Sequence, residues 1–187
     1  MQTKVTSRSG TGSVLVLGGA RSGKSRYACS LAEASGRTPV FVATAKAGDA
    51  EMAARIARHR AERASRWRVV EEPLALVETL AAETGGDRIV LVDCVTFWLA
   101  NVLFADGDLG GETERLAAAV PHLAGPVIFV ANEVGFGIVP DSAMGRRFRD
   151  AQGWLNQRLA ATCAHVVLVA AGLPLVLKPR PWPDIPL

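Results

Sequence analysis

Cysteine is scarce in this sequence. Cys29, Cys94 and Cys163 stand far apart, are odd in number and show no metal-ligand spacing. That argues against a disulfide framework or a cysteine-bound zinc, and leaves three small hydrophobes in a reducing compartment. Long apolar runs are also missing. No stretch approaches the ~18 residues that a membrane helix requires, and residues 1–12 are polar, without the apolar core of a signal peptide. The expected address is the cytoplasm, with no membrane span. Aromatic residues are few at 6%, whereas apolar residues reach 49% with alanine and valine leading, which suits helices packed closely on a sheet. A large charge excess is absent as well. The net charge is +3 and the basic residues gather around 55–68 and 146–149 rather than in one run. This favours an acidic small ligand and no nucleic acid partner.

What is present is an alternation. Short continuous apolar runs at 13–17, 40–44, 68–70, 88–92, 126–131 and 166–170 read as strands buried on both faces. Helical patterns at 23–35, 50–64, 74–83, 96–104, 113–123 and 144–162 lie between them, and 175–178 can add an edge strand. Strand–helix alternation implies right-handed crossovers and a doubly wound, mainly parallel α/β sheet with helices on both faces. A chain of 187 residues fits one domain, placed at 13–178, with a loose leader at 1–12 and a proline-rich extended tail at 179–187. In such sheets ligands sit at the carboxyl ends of the strands.

The first strand runs directly into Gly18-Gly19-Ala20-Arg21-Ser22-Gly23-Lys24-Ser25, the pattern G-x-x-x-x-G-K-S, and helix-compatible residues follow. Strand, glycine loop and helix are the context a P-loop requires. Gly18, Gly19 and Gly23 let the backbone turn tightly and aim N–H groups inward, where the positive end of the following helix also points. Lys24 neutralises the outer phosphates, and the Ser25 hydroxyl can ligate Mg²⁺. Asp93 follows the apolar run 89–92, as a second metal or nucleotide contact would, although the same position also suits a helix cap. Glu71 and Glu72 close the weaker run at 68–70. They can accept hydrogen bonds from a base or ribose, or serve as first-turn acids ahead of Pro73.

The base-reading N-K-x-D of a switch GTPase is absent, and Asp108-Leu-Gly-Gly111 resembles D-x-x-G but follows no strand. A small kinase or nucleotidyltransferase remains. On the helix expected at 50–64, Arg55, His59 and Arg63 share one face, with Arg58 and Arg60 beside the histidine. Surrounding arginines favour a neutral imidazole, which is a nucleophile, and would stabilise charge on a phosphoryl group that it attacks. A plain solvated basic face is the alternative.

Taken in order, Gly18 to Arg26, Val42-Ala-Thr-Ala45, Asp49-Ala-Glu-Met-Ala-Ala-Arg-Ile56 with Arg58-His-Arg60, Trp67-Arg68, Val92-Asp-Cys-Val-Thr96, Asn132-Glu-Val-Gly-Phe-Gly-Ile-Val-Pro140, Arg147-Phe-Arg-Asp150 and Asn156-Gln-Arg-Leu159 resemble one family. It is the bifunctional adenosylcobinamide kinase / adenosylcobinamide-phosphate guanylyltransferase family of cobalamin biosynthesis. The resemblance implies a RecA-like sheet and a propeller-shaped homotrimer. It implies phosphorylation of adenosylcobinamide, a corrinoid, by ATP or GTP, followed by transfer of GMP from GTP through a covalent GMP-histidine. The position matching that histidine is His59. The implied nucleotide contacts are the loop residues Gly18 to Ser25, then Ala43, Thr44 and Ala45, then Arg60, Ala61, Glu62 and Arg63, and finally Glu71 and Asp93. A P-loop kinase acting on another alcohol, or a nucleotide-binding module without turnover, are the competing readings.

Overall fold

The computed structural model describes residues 12–45 and 67–179. Seven short runs of valine, leucine and isoleucine pair into one sheet. They are β1 (Ser13–Gly18), β2 (Thr38–Ala43), β3 (Arg68–Glu71), β4 (Arg88–Asp93), β5 (Val127–Asn132), β6 (His165–Ala170) and β7 (Leu173–Lys178). The spatial order is β3-β2-β4-β5-β1-β6-β7. Every pairing is parallel except β6 with β7. The helices are α1 (Lys24–Ala34), α2 (Leu76–Glu83), α3 (Val95–Phe104), α4 (Leu109–Ala119) and α5 (Ala143–Thr162).

Side chains alternate across a strand, and here both faces are covered, which is why the strand sequences are apolar throughout. Leu15 and Leu17 of β1 join Val40, Val42, Val90, Val92 and Phe129 beneath α2–α5. Val16 joins Phe41, Leu91, Ile128 and Val130 on the opposite face, beneath Ala28 and Ala32 of α1. Those alanines recur at i, i+4 and bring α1 close to the sheet. Trp98, the largest fully buried side chain, donates its indole N–H to the Leu74 carbonyl at 2.9 Å. Each buried leucine, valine or phenylalanine contributes on the order of 1.5–3 kcal/mol.

Three of the differences from the sequence expectation have a visible cause. β2 starts at Thr38 and releases Thr44, because the Thr44 hydroxyl is engaged with Cys94. The helix expected at 113–123 begins at Leu109, since Asp108 caps it by accepting the Gly110 N–H at 3.1 Å. The cap and the burial of Leu109, Thr113, Leu116 and Ala117 together offset the poor helix propensity of Gly110 and Gly111. That helix stops at Ala119 and a 3-10 turn containing Pro121 follows at Val120–His122. β7 begins at Leu173 rather than 175. Ala171 (φ 52) and Gly172 (φ 81) make a two-residue turn with both residues in the left-handed region, the geometry that matches strand twist in a hairpin. Ala171 carries a cost of roughly 1–2 kcal/mol there.

Candidate active site

The parallel register brings the strand ends into one row. Ala43 pairs with both Glu71 and Asp93, Asp93 with Val130, and Gly18 with Asn132. Four strand intervals separate β3 from β1, roughly 19 Å at ~4.8 Å each. Glu71 and the glycine loop therefore bracket this edge rather than touch.

The glycine loop rises from the end of β1. A Cβ on Gly18 would lie 2.4 Å from the Ser22 hydroxyl and 2.6 Å from the Val169 carbonyl, so only glycine fits. Gly23 has φ 95 and leads straight into α1. Arg21 also sits in the left-handed region, at φ 57, on the exposed rim. The Ser22 N–H closes the turn on the Gly19 carbonyl at 3.3 Å. Lys24 is buried, and its ammonium donates to the same Gly19 carbonyl at 3.1 Å. The cation thus spans its own loop, where phosphate oxygens could replace a neutral acceptor. Gly19 and Ala20 are exposed at the mouth, and Ser25 lies in the first turn of α1.

On the other half of the edge, the Thr44 side chain turns inward. Its hydroxyl donates to the Cys94 carbonyl at 2.7 Å and accepts the Cys94 N–H at 3.1 Å. The Ala43 carbonyl accepts the Glu72 N–H at 2.9 Å, and the Thr44 carbonyl accepts from Asn101 at 2.7 Å. Asp93 ends β4, half-buried, and α3 starts after Cys94 with no side-chain cap, so the helix-cap alternative for Asp93 falls. Glu72 is the acid that serves a helix start, accepting the Leu74 and Ala75 N–H groups at 2.8 Å each. Glu71 ends β3 beside Ala43.

Burial pushes the Cys94 thiol up to about 12. The Asp93 charge adds to that rise and Lys24 opposes it. Both charges therefore act on one buried sulfur, and that sulfur stays protonated and is no nucleophile. Burial likewise pushes Cys163 up to about 12. Of the three histidines, His165 opens β6 and His122 lies in the 3-10 turn before β5, both at the amino end of the sheet, away from the glycine loop. His59, together with Arg60, Ala61, Glu62 and Arg63, lies outside the described residues.

A polar network that sequence reasoning did not assemble fixes the edge. The Thr96 hydroxyl accepts the Asn132 N–H at 2.8 Å, and Asn156 donates to the Asn132 carbonyl at 3.2 Å. Gln152 donates to Asn156 at 2.8 Å. Asn101 donates to the carbonyls of Thr44 and Pro73 at 2.7 and 3.1 Å. The available signal was Gln152 and Asn156 at i, i+4, two amides on the buried face of α5 beside Leu155 and Leu159. The next residue, Glu133, donates its N–H to the Gly18 carbonyl at 3.0 Å, tying the loop after β5 to the glycine loop. That loop exposes Phe136 and Ile138 almost completely, at 85% and 96%.

A glycine cradle with a lysine across it, at the carboxyl edge of a mainly parallel sheet, defines a P-loop nucleotide-binding protein of RecA-like architecture. A crystal structure of the RadB recombinase shares that fold, with a TM-score of 0.51, 19% identity, and coverage of 85% of this chain and 74% of that one.

Sequence comparison narrows the class. The model of the cobinamide kinase / cobinamide phosphate guanyltransferase family matches residues 14–177, and the chain belongs to that family. It is 50% identical over 169 residues to the bifunctional adenosylcobalamin biosynthesis protein CobP of Pseudomonas aeruginosa, spanning 89% of this chain and 98% of that protein. It is 40% identical over 180 residues to the protein CobU of Escherichia coli, described in the same words, spanning 88% and 99%. The Salmonella typhimurium CobU is 39% identical over 185 residues, spanning 88% and 99%. The chain is accordingly a bifunctional enzyme, a kinase and a nucleotidyltransferase. Among the described residues no helix is long and apolar enough to cross a membrane, and no group of three or more His, Cys, Asp or Glu is placed to hold a metal.

Proposed function

We propose that this enzyme first phosphorylates adenosylcobinamide and then guanylylates the product, in the cytoplasm and as a homotrimer. In the first step the aminopropanol hydroxyl of the corrinoid attacks the γ-phosphorus of ATP or GTP. The hydroxyl proton is lost and the nucleoside diphosphate leaves. Lys24 and the inward N–H groups of residues 18–25 hold the phosphates, so catalysis is alignment and charge neutralisation.

In the second step an imidazole nitrogen of His59 attacks the α-phosphorus of GTP. The bond to the β-phosphate breaks and pyrophosphate leaves. A phosphate oxygen of adenosylcobinamide phosphate then attacks the same phosphorus, the P–N bond breaks, and adenosylcobinamide-GDP is released. The covalent stage divides one difficult transfer into two easier ones and keeps the nucleotide activated between them. Arg60 and Arg63 supply positive charge near the histidine. Ala43, Thr44, Glu71 and Asp93 offer main-chain and carboxylate partners to the nucleoside along the same edge.

The Ser25 hydroxyl and the Asp93 carboxylate are hard oxygen donors, the set that suits Mg²⁺. Bound there, Mg²⁺ would neutralise charge on the phosphate oxygens.

The observation that carries this reading is the placement of residues 18–25, Ala43, Glu71 and Asp93 on one sheet edge, with both described histidines at the opposite end. The test uses α-labelled GTP and intact-protein mass analysis. The wild type should gain an acid-labile GMP, and His59→Ala should gain none while retaining kinase activity. A wild type that carries no adduct under turnover conditions overturns the covalent mechanism.

A further inference from the structure

We propose that the β6–β7 turn is a positioning element for the phosphate loop, with Gly172 holding Ser22 so that the loop is shaped before a nucleotide arrives. The proposal rests on residues 18–25 being the phosphate seat. The contacts are main chain on main chain. The Gly172 N–H donates to the Ser22 carbonyl at 2.8 Å. A Cβ on Gly23 would lie 3.2 Å from the Gly172 Cα, and a Cβ on Gly18 would lie 2.6 Å from the Val169 carbonyl. Both ends of the glycine loop therefore abut the same hairpin, with no side-chain rotamer between them to absorb a shift.

The consequence follows from peptide geometry. The Ser22 carbonyl and the Gly23 N–H belong to one planar trans unit and point in opposite directions. A carbonyl drawn outward to Gly172 turns the Gly23 N–H to the inner side of the loop, where an anion can meet it. The hydrogen bond thus sets the direction of a phosphate donor that Gly172 itself never touches. The turn sets the position of Gly172 in return. Ala170 pairs with Leu173, so only Ala171 and Gly172 close the hairpin, both at positive φ. A side chain at Gly172 would be strained at φ 81, and its Cβ would lie 3.2 Å from the Arg26 guanidinium. A loop held in its binding shape loses less freedom when a ligand arrives.

The test is Gly172→Val in the full chain, read as kinetics of the kinase step. The nucleotide KM should rise by about tenfold or more as the preorganised loop is lost, while the KM for adenosylcobinamide stays within about twofold. Gly172→Asn, which tolerates the left-handed region, should restore the nucleotide KM to within about threefold of wild type. Val176→Ser on β7 should lower the melting temperature without changing the nucleotide KM.

Amide hydrogen exchange of the wild type keeps the test open should Gly172→Val fail to fold. Saturating α,β-methylene-GTP with Mg²⁺ should slow exchange in 170–176 together with 18–25. Slowing confined to 18–25, or a Gly172→Val enzyme with an unchanged nucleotide KM, overturns the positioning role. No slowing at 18–25 would instead sink the reading of that loop as the nucleotide seat.

Discussion

The two halves of the sheet's carboxyl edge are held by different means. Around β1 the chain is fixed by its own backbone. Gly18 accepts from Glu133, Ser22 accepts from Gly172, and the approach is so close that a methyl group at Gly18 would collide with the Ser22 hydroxyl and the Val169 carbonyl. Around β2 and β4 side chains do the holding. The Thr44 hydroxyl clamps both main-chain groups of Cys94, and Asn101 bridges the carbonyls of Thr44 and Pro73. A backbone-held half needs glycine at fixed spacing and so leaves a motif. A side-chain-held half needs a suitable polar group at the right point in space, and the sequence spacing carries no trace of it.

The comparison can be broken at its tightest point with Gly18→Ala. Forcing a Cβ into that space should cost about 3 kcal/mol of stability, the upper end for overpacking a filled site, and nucleotide affinity should fall with it. Chemical denaturation and calorimetric titration measure the two. An alanine variant with wild-type stability would show that the backbone-held half has slack.

Thr44→Val strikes the side-chain-held half. It leaves the Cys94 N–H buried without its acceptor, while the Cys94 carbonyl keeps the Trp98 N–H at 3.2 Å, a loss of ~2 kcal/mol, and Thr44→Ser should recover most of it because the hydroxyl returns. Urea denaturation of the pair decides. A larger loss for serine than for valine would mean that packing of the methyl group, which valine keeps and serine lacks, holds this half rather than the clamp.

The smallest effect belongs to a pair remote from both halves. Glu78 of α2 and Arg115 of α4 form an ion pair on the outer surface. The Glu78 carboxyl is held below its ordinary range, first by a hydrogen bond to its own backbone and then by Arg115. Its folded-state value is depressed, so its contribution is present above the unfolded value and lost as pH falls through the folded one. Both groups are solvated, so the contribution should stay under ~0.5 kcal/mol and fade with salt. Glu78→Gln followed by denaturation at neutral and acid pH provides the baseline against which the other two variants are read.

The same contrast explains what could be read in advance. The strand cores, the helices at α1, α2, α3 and α5, and the glycine loop were legible because each is a local pattern: an apolar run, a 3.6-residue stripe, or a fixed spacing of glycines. The start of α4 was not, since Gly110 and Gly111 argue against a helix until Asp108 caps it. The β6–β7 turn was missed because alanine is a poor residue for positive φ, and the pairing of β6 with β7 imposes it. Glu71 and Glu72 look alike as neighbours in the chain. The fold separates them, giving Glu72 to the turn before α2 and leaving Glu71 in line with Ala43.

By itself the sequence determined the class of fold, the glycine loop that carries Lys24 and Ser25, and the family, since these depend on residue types at short spacing along the chain. Tertiary structure decided that Ala43, Glu71, Asp93 and Gly18 share one edge, that Thr44 faces inward, and that a hairpin from the far end of the chain rests on the glycine loop. Those outcomes depend on strand order and register, which arise when separate segments bury their apolar faces against one another.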